Sequence, residues 1–343
     1  MAWAGCVVEN PAYITNGVVT FNFNAKDGTH STSATYNVGT TQTYAQVSNV
    51  QLNAGKTYTI YASCKATNGT TVKSANYELT TASGSSSGAT ASESWLELPA
   101  EDKTLYPNAV ELKVSAGGER NYTAYYDKST YTTMWTAYPL ESKHMGSLSR
   151  PGSWSFNPLL EEKYQVDLCS HSYSNSTYSR GHLIPNASRN GIKEMQLQTF
   201  YVTNSVPQVQ TRFNDGIWNS LEQALQGIAK SRKIYIVTGV AFEKVGESKS
   251  ISYIKAKDDT KNIPIPNYFY KVVLKVTTNS SGTVTSASTI GFWFENKAYS
   301  NTTYSSCAVS VDQVEQWTGF DFFANLPDAV EASAEQNSSW SSF

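Results

Sequence analysis

Apolar positions along this chain follow two different periods. In GVVTFNFNA (17–25) and KTYTIYASCKA (56–66) every second residue is apolar, and the turn signals AKDGT and ATNGT follow them. A two-residue period puts those side chains on one face of a strand, so residues 1–82 are expected to form a small all-β sandwich. After Trp95 the strand-like runs AVELKVSA, KIYIVTGVAF, NYFYKVVLKV and TIGFWFEN are mixed with stretches of helical period. Behind Asn214, the residues Ile217, Leu221, Leu225 and Ile228 recur at i, i+4, i+8 and i+11, which predicts an amphipathic helix. A second helix is expected near Val311, where VDQVEQWTG ends on a glycine of the kind that closes helices. The run LQTFYVTN, ending at Asn204, reads as a strand. No βαβ repeat is visible, so the class is α+β: a sheet carrying inserted helices, preceded by the sandwich.

Length supports the same division, because 343 residues exceed one comfortable core. TASGSSSGATASES has the composition of a tether, and residues 83–94 are expected to link a first domain, 1–82, to a second, 95–343. Gly84–Gly88 matches G-x-S-x-G by letters only, since no apolar strand precedes it and no helix follows. With 22 tyrosines, abundant Ser, Thr and Asn, and 16% charged residues, the composition points to a secreted, cell-surface or periplasmic protein. No stretch approaches the roughly 18 apolar residues of a membrane span. The first residues lack the basic and apolar regions of an export signal, so any such signal is expected to be absent from this chain.

Cys6, Cys64, Cys169 and Cys307 fall two on each side of the tether, which permits one disulfide per domain and equally permits four free thiols. No CxxC pair or nearby histidine suggests zinc. A net charge of −2 argues against holding polyanions by bulk electrostatics. The distribution is more telling, because all six arginines follow residue 95. Any handling of phosphate therefore belongs to the second domain.

Within it, SRGHLIPNASR (179–189) places Arg180 and His182 two residues apart, on one face of an extended strand. A guanidinium offers a fork for phosphate oxygens, and a neutral imidazole can take a proton near pH 7. An isolated Arg-Gly-His reads more simply as a partly buried histidine beside a surface arginine. Here Asn204, Asn214 and Glu222 follow, and if the helix begins at once the last two point to roughly the same side of it.

SRGHLIPNASR, then FYVTNSVPQ, then NDGIWNSLE resembles the DNA/RNA non-specific endonucleases of the ββα-metal class, whose signature runs D-R-G-H, N-x-x-P-Q and N-x-G-x-W-x-x-L-E. Agreement in PIPNYFYKVVLK and WTGFDFFANLPD extends the resemblance over about residues 95–330. The resemblance implies a ββα-metal domain with a central antiparallel sheet, acting on DNA and RNA. It implies His182 as general base, Asn214 as the direct ligand of one Mg²⁺, Glu222 acting on that ion through water, Arg180 on the scissile phosphate, and Asn204 orienting His182 or the substrate. Mn²⁺ or another divalent cation could substitute for Mg²⁺. Arg150, near the place of a further phosphate-binding arginine, and Arg189 are candidate substrate contacts or solvated surface charges. Two departures stand out: the usual Asp is Ser179, and the Asn204–Asn214 interval is about one residue longer, which predicts a bulge. In the first domain, Leu52–Tyr58 resembles the L-x-P-G-x-x-Y corner of fibronectin type III and immunoglobulin-like modules, with Tyr58 bonding back to the preceding loop.

Trp218 is expected to pack the helix on the sheet, and His30, His144 and His171 to be structural or exposed. The expected activity is metal-dependent phosphodiester hydrolysis. A second reading is a non-catalytic surface protein that binds nucleic acid, glycan or a protein partner on a degenerate nuclease fold. A third is a phosphodiesterase for smaller substrates.

Overall fold

The alternation in the first region becomes paired strands. The computed structural model describes residues 2–53, 56–81, 95–100 and 104–343. Residues 83–94, with the expected tether and Gly84–Gly88, lie outside the described residues. The chain divides into two compact units, Met1–Gly88 and Ala89–Phe343.

In the first unit, β1 (Ala2–Val7) pairs with β4 (Tyr44–Val50). A second sheet runs in the order β3 (Ser31–Asn37), β2 (Ile14–Ala25), β5 (Thr57–Ala66) and β6 (Thr71–Lys73), with β7 (Tyr77–Thr80) also on β5. The every-second-residue pattern buries Val19, Phe21, Phe23, Tyr58 and Ile60 together with Val47. The turns use glycine where the backbone is left-handed, at Gly28 (φ 73°) and Gly69 (φ 86°). Buried Tyr58 reaches back to the preceding loop: its hydroxyl accepts from the Asn53 backbone N–H at 2.8 Å and lies 2.9 Å from His30 Nδ1.

The second unit is built on a seven-stranded antiparallel sheet. Its strands are β8 (Ala109–Ala116), β9 (Glu119–Asp127), β10 (Thr132–Leu140), β13 (Ile234–Ala241), β16 (Tyr268–Thr278), β17 (Val284–Glu295) and β18 (Ala308–Val309), adjacent in that order. Every residue of β10 and β13 is buried. Such strands, covered on both faces, read as continuous apolar runs, which is how KIYIVTGVAF appears. Among the described residues four α-helices are inserted: α1 (Lys193–Gln198), α2 (Asn219–Ala229), α3 (Val311–Thr318) and α4 (Asp328–Ala334). Leu221 and Leu225 of α2 are buried, and Trp218 packs edge-on to Phe213, Phe269 and Phe294. Gly319 closes α3 with φ 77°. This is the expected α+β architecture. A short pair, β14 (Tyr253–Ile254) with β15 (Ile263–Pro264), completes the strands beside the separate pair β11 (Tyr178–His182) and β12 (Ser205–Val209).

Two local expectations need correction. LQTFYVTN is not a strand: α1 ends at Gln198, Val202–Asn204 makes one tight helical turn, and the strand begins afterwards at Ser205. Polar side chains draw this run into turns, since Asn204 Nδ2 donates to Thr199 O and Gln198 Oε1 accepts from Asn121 Nδ2. Nor does the helix begin at Asn214. Residues Gln210–Trp218 wind irregularly, with Thr211, Arg212 (φ 64°) and Gly216 outside helical geometry, so Asn214 and Glu222 are not two turns apart on one helix.

Candidate active site

The site is assembled on β11. Antiparallel pairing with β12 sets Ser179 opposite Gln208, Arg180 opposite Pro207 and His182 opposite Ser205. Gly181 is required by packing: a Cβ there would lie 2.4 Å from Gln208 Oε1 and 2.5 Å from its Cβ. Arg180 and His182 emerge together, as the period-two pattern predicts, and both meet Trp154. The Arg180 guanidinium carbon is 5.1 Å from the Trp154 ring centre, and the His182 ring is 4.6 Å from it.

Phe200 forms the second wall, 4.9 Å from the His182 ring and edge-on to it. Arg150 lies over Phe200 at 4.9 Å, so Arg150 joins His182 and Arg180 in one cluster. Burial, then the nearby charges of Arg150 and Arg180, pull His182 down from the ordinary 6.5 to about 3, which leaves the imidazole neutral at physiological pH. Its Nε2 is shielded from solvent and has no hydrogen-bond partner among the described residues. An orphan nitrogen of this kind is where an ordered water or a substrate group fits. Among the described residues neither Arg150 nor Arg180 forms an ion pair with a carboxylate, although Arg180 Nη1 donates to Leu168 O at 2.7 Å. Unpaired guanidinium groups beside a neutral base are suited to an anionic phosphate.

Asn214 is tied to the same strand from the other side. Its Nδ2 donates to Ser179 Oγ and to Gln210 Oε1, both at 3.0 Å. Ser179 spends its own proton on Gln208 O at 3.3 Å, so it can only accept from Asn214. The amide nitrogen is thereby fixed, and the Asn214 oxygen is left for an outside partner. An amide oxygen is the kind of hard oxygen donor that a divalent cation of the Mg²⁺ class prefers.

Glu222 lies on α2 beside Trp218, 3.6 Å from the ammonium of fully buried Lys271, which also donates to Thr238 Oγ1. Burial raises the Glu222 carboxyl and Lys271 opposes that rise; burial likewise lowers the Lys271 ammonium. Lys271 sits inside PIPNYFYKVVLK, but a lysine in a strand run carries no sign that it will face a carboxylate from another element.

Among the described residues Glu222 makes no hydrogen bond or ion pair with His182, Arg180, Arg150 or Asn214, and two further candidates also fall outside their cluster. Arg189 is neither a surface charge nor a substrate contact: it is fully buried, donating to Asn121 Oδ1 and to the carbonyls of Ser188, Asn121 and Pro139. With four of its five N–H donors engaged and no exposed surface, it braces the sheet. Asn204 is also fully buried, away from solvent. Its side chain accepts from Ile184 N–H and donates to Ile184 O and Thr199 O, clamping the backbone that follows His182. Sequence reasoning missed Trp154 and Phe200, for which only their aromatic character beside Arg150 and before Asn204 was available as a signal. The cysteines are free, and His171 is exposed and paired with Asp258.

The sequence pattern of the DNA/RNA non-specific endonucleases matches residues 105–329. The chain belongs to the DNA/RNA non-specific endonuclease family. That places it among nucleic-acid-hydrolysing enzymes, as the three ordered motifs imply. It is 27% identical over 221 residues to a nuclease of Nostoc sp., covering 63% of this chain and 76% of the relative. To the nuclease of Serratia marcescens it is 26% identical over 217 residues, covering 62% and 76%. The match to the mitochondrial nuclease of Saccharomyces cerevisiae, 24% over 211 residues, covers 59% of this chain and 63% of that one. Endonuclease G in complex with its inhibitor EndoGI has a similar fold, with a TM-score of 0.53 at 22% identity over 68% of this chain and 91% of the other.

Proposed function

We propose that the chain is an exported endonuclease that hydrolyses phosphodiester bonds in both DNA and RNA with the help of one divalent cation, Mg²⁺ or a substitute such as Mn²⁺. The observation that carries this is the neutral, half-buried His182, its shielded Nε2 without a partner among the described residues, set between two arginines that have no acidic partner among them. The first unit is proposed as an immunoglobulin-like accessory module, with residues 83–94 as its tether.

In the proposed reaction a water oxygen adds to phosphorus, its proton passes to His182 Nε2, and the bond to the 3′-oxygen breaks with the electron pair leaving on that oxygen. Arg180, with Arg150 beside it, holds the non-bridging phosphate oxygens and offsets the charge that builds there. Trp154 and Phe200 keep the imidazole upright and exclude competing water. Asn214 would hold the cation through its amide oxygen, and Glu222 would steady it through water. When bound, the cation supplies Lewis-acid stabilisation of charge on the phosphate and the leaving oxygen. All these contacts go to phosphate, which is compatible with weak base preference.

The test is cleavage of supercoiled plasmid and of a long RNA in Mg²⁺, with and without EDTA, by the parent and by His182→Ala. Both polymers should be cut only with metal, and His182→Ala should lose about 10²–10⁴-fold in rate. Metal-independent cleavage, or a His182→Ala protein of near-parental rate, would overturn the assignment.

A further inference from the structure

Away from β11, helices α3 and α4 bring carboxylates together. One oxygen from each of Asp312, Glu315 and Glu335 lies within 4.8 Å of the other two. Asp312 and Glu315 are three residues apart on α3 and so share a face of it. Glu335 follows α4 and is brought in by its backbone: the Glu335 carbonyl accepts from Val311 N–H at 3.0 Å and from Asp312 N–H at 3.4 Å. Glu315 Oε1 accepts from Phe322 N–H at 2.7 Å, which anchors that carboxylate by one oxygen and leaves the other available.

A separate observation concerns what fills the gap. Glu335 is 4% exposed, and its Oε1 has neither solvent contact nor a hydrogen-bond partner among the described residues. A buried carboxylate oxygen that receives nothing is costly, and the side chain that carries it turns one oxygen towards two further carboxylates. Among the described residues no ion pair reaches Asp312, Glu315 or Glu335, and Asp321 and Glu331 add more negative charge around them.

We propose that Asp312, Glu315 and Glu335 bind a hard divalent cation of the calcium class, at a site distinct from the nuclease centre and independent of it. Calcium–oxygen distances are about 2.3–2.6 Å, so ligands on opposite sides of one ion stand roughly 4.8 Å apart. The three oxygens therefore fit one coordination shell, with water completing it. The cation's effect would be structural. α4 is held to the sheet by Thr289 Oγ1 donating to Ala334 O, and a bridge from α3 to Glu335 would lock that helix in place.

The experiment uses the full chain stripped with EGTA, titrated with Ca²⁺ by calorimetry and with Tb³⁺ by luminescence, for which Trp317 on α3 is a nearby sensitiser. An Asn214→Ala background removes the ion proposed for the nuclease centre. One Ca²⁺ should still bind there and raise Tm by several degrees. Glu335→Gln should weaken that binding at least tenfold while leaving cleavage in Mg²⁺ unchanged; Asp312→Asn serves the same purpose if Glu335→Gln fails to fold. No Ca²⁺ binding by Asn214→Ala, or equal binding by Glu335→Gln and Asp312→Asn, would overturn the site and mean that the cluster is balanced by protons. Cleavage in Mg²⁺ reads out separately, so failure of this site and failure of the nuclease assignment are distinguishable.

Discussion

The side-chain amide of Asn214 donates to the hydroxyl of Ser179 at 3.0 Å, across from the irregular segment to the second residue of β11. Ser179 stands where the family signature carries aspartate, and through this contact it decides which end of the Asn214 amide faces outward. Aspartate can accept the same hydrogen bond and adds charge, whereas alanine releases the amide to rotate. Divalent-cation affinity, measured with Mn²⁺ by electron paramagnetic resonance, should therefore be highest in Ser179→Asp, intermediate in the parent and lowest in Ser179→Ala. A loss of about 3–10-fold is expected for alanine, on the scale of one hydrogen bond. Equal affinities in all three proteins would remove Ser179 from the metal site.

The pH dependence follows from His182. Burial first, and then Arg150 and Arg180, hold its pKa near 3 rather than 6.5, so the proton-accepting form persists well below neutrality in the free enzyme. kcat/KM at saturating metal should show no inflection near pH 6.5, the acid limb appearing instead below about pH 5. Removing one positive charge in Arg150→Gln should move that limb upward. For stability the sign is the same. The unfolded chain takes up the proton first, so the contribution of neutral His182 is fully present above about pH 6.5 and is lost as pH falls towards 3. A limb at pH 6.5 in the parent would mean that substrate or solvent reaches the ring more freely than its packing allows.

Arginines 150 and 189 separate stability from activity. Arg189 engages four acceptors while fully buried, so Arg189→Ala strands several polar groups and should cost about 3–5 kcal/mol in urea unfolding. Arg150→Ala removes an exposed guanidinium that lies over Phe200 and should change unfolding by less than about 1 kcal/mol while raising KM for nucleic acid. The reverse pattern would restore Arg189 as a substrate contact.

How far these roles were visible in the sequence depends on the range of the interaction behind each one. Leu221 and Leu225 declare α2 through their spacing, and the continuous runs of β13 and β16 declare central strands, because each depends on one element and the face it buries. The joint emergence of Arg180 and His182 is likewise a property of one short strand. The start of α2 was not legible: Arg212 takes a left-handed backbone and its N–H bonds Asp215, a local choice that overrides the helical period of the surrounding residues. Arg189 was read as a substrate contact or a solvated charge because its partners, Asn121 and Pro139, lie 68 and 50 residues away. Trp154 and Phe200 become walls only when β11 is folded between their loops, and Lys271 meets Glu222 only across the sheet–helix interface.

Salt dependence tests the substrate reading without any chemistry. The net charge of −2 provides no general attraction to a polyanion, so binding must rest on few local contacts. Arg150 and Arg180 are the cationic groups in the His182 cluster, and two neutralised phosphates correspond to a slope of about −2 in log K against log salt. Binding of catalytically inactive His182→Ala to a short duplex should therefore weaken only about tenfold to twentyfold between 50 and 200 mM salt, and Arg180→Gln should flatten the slope by about one. A slope of about −6 or steeper would place most of the binding surface outside this cluster, on lysines that the β11 site does not include.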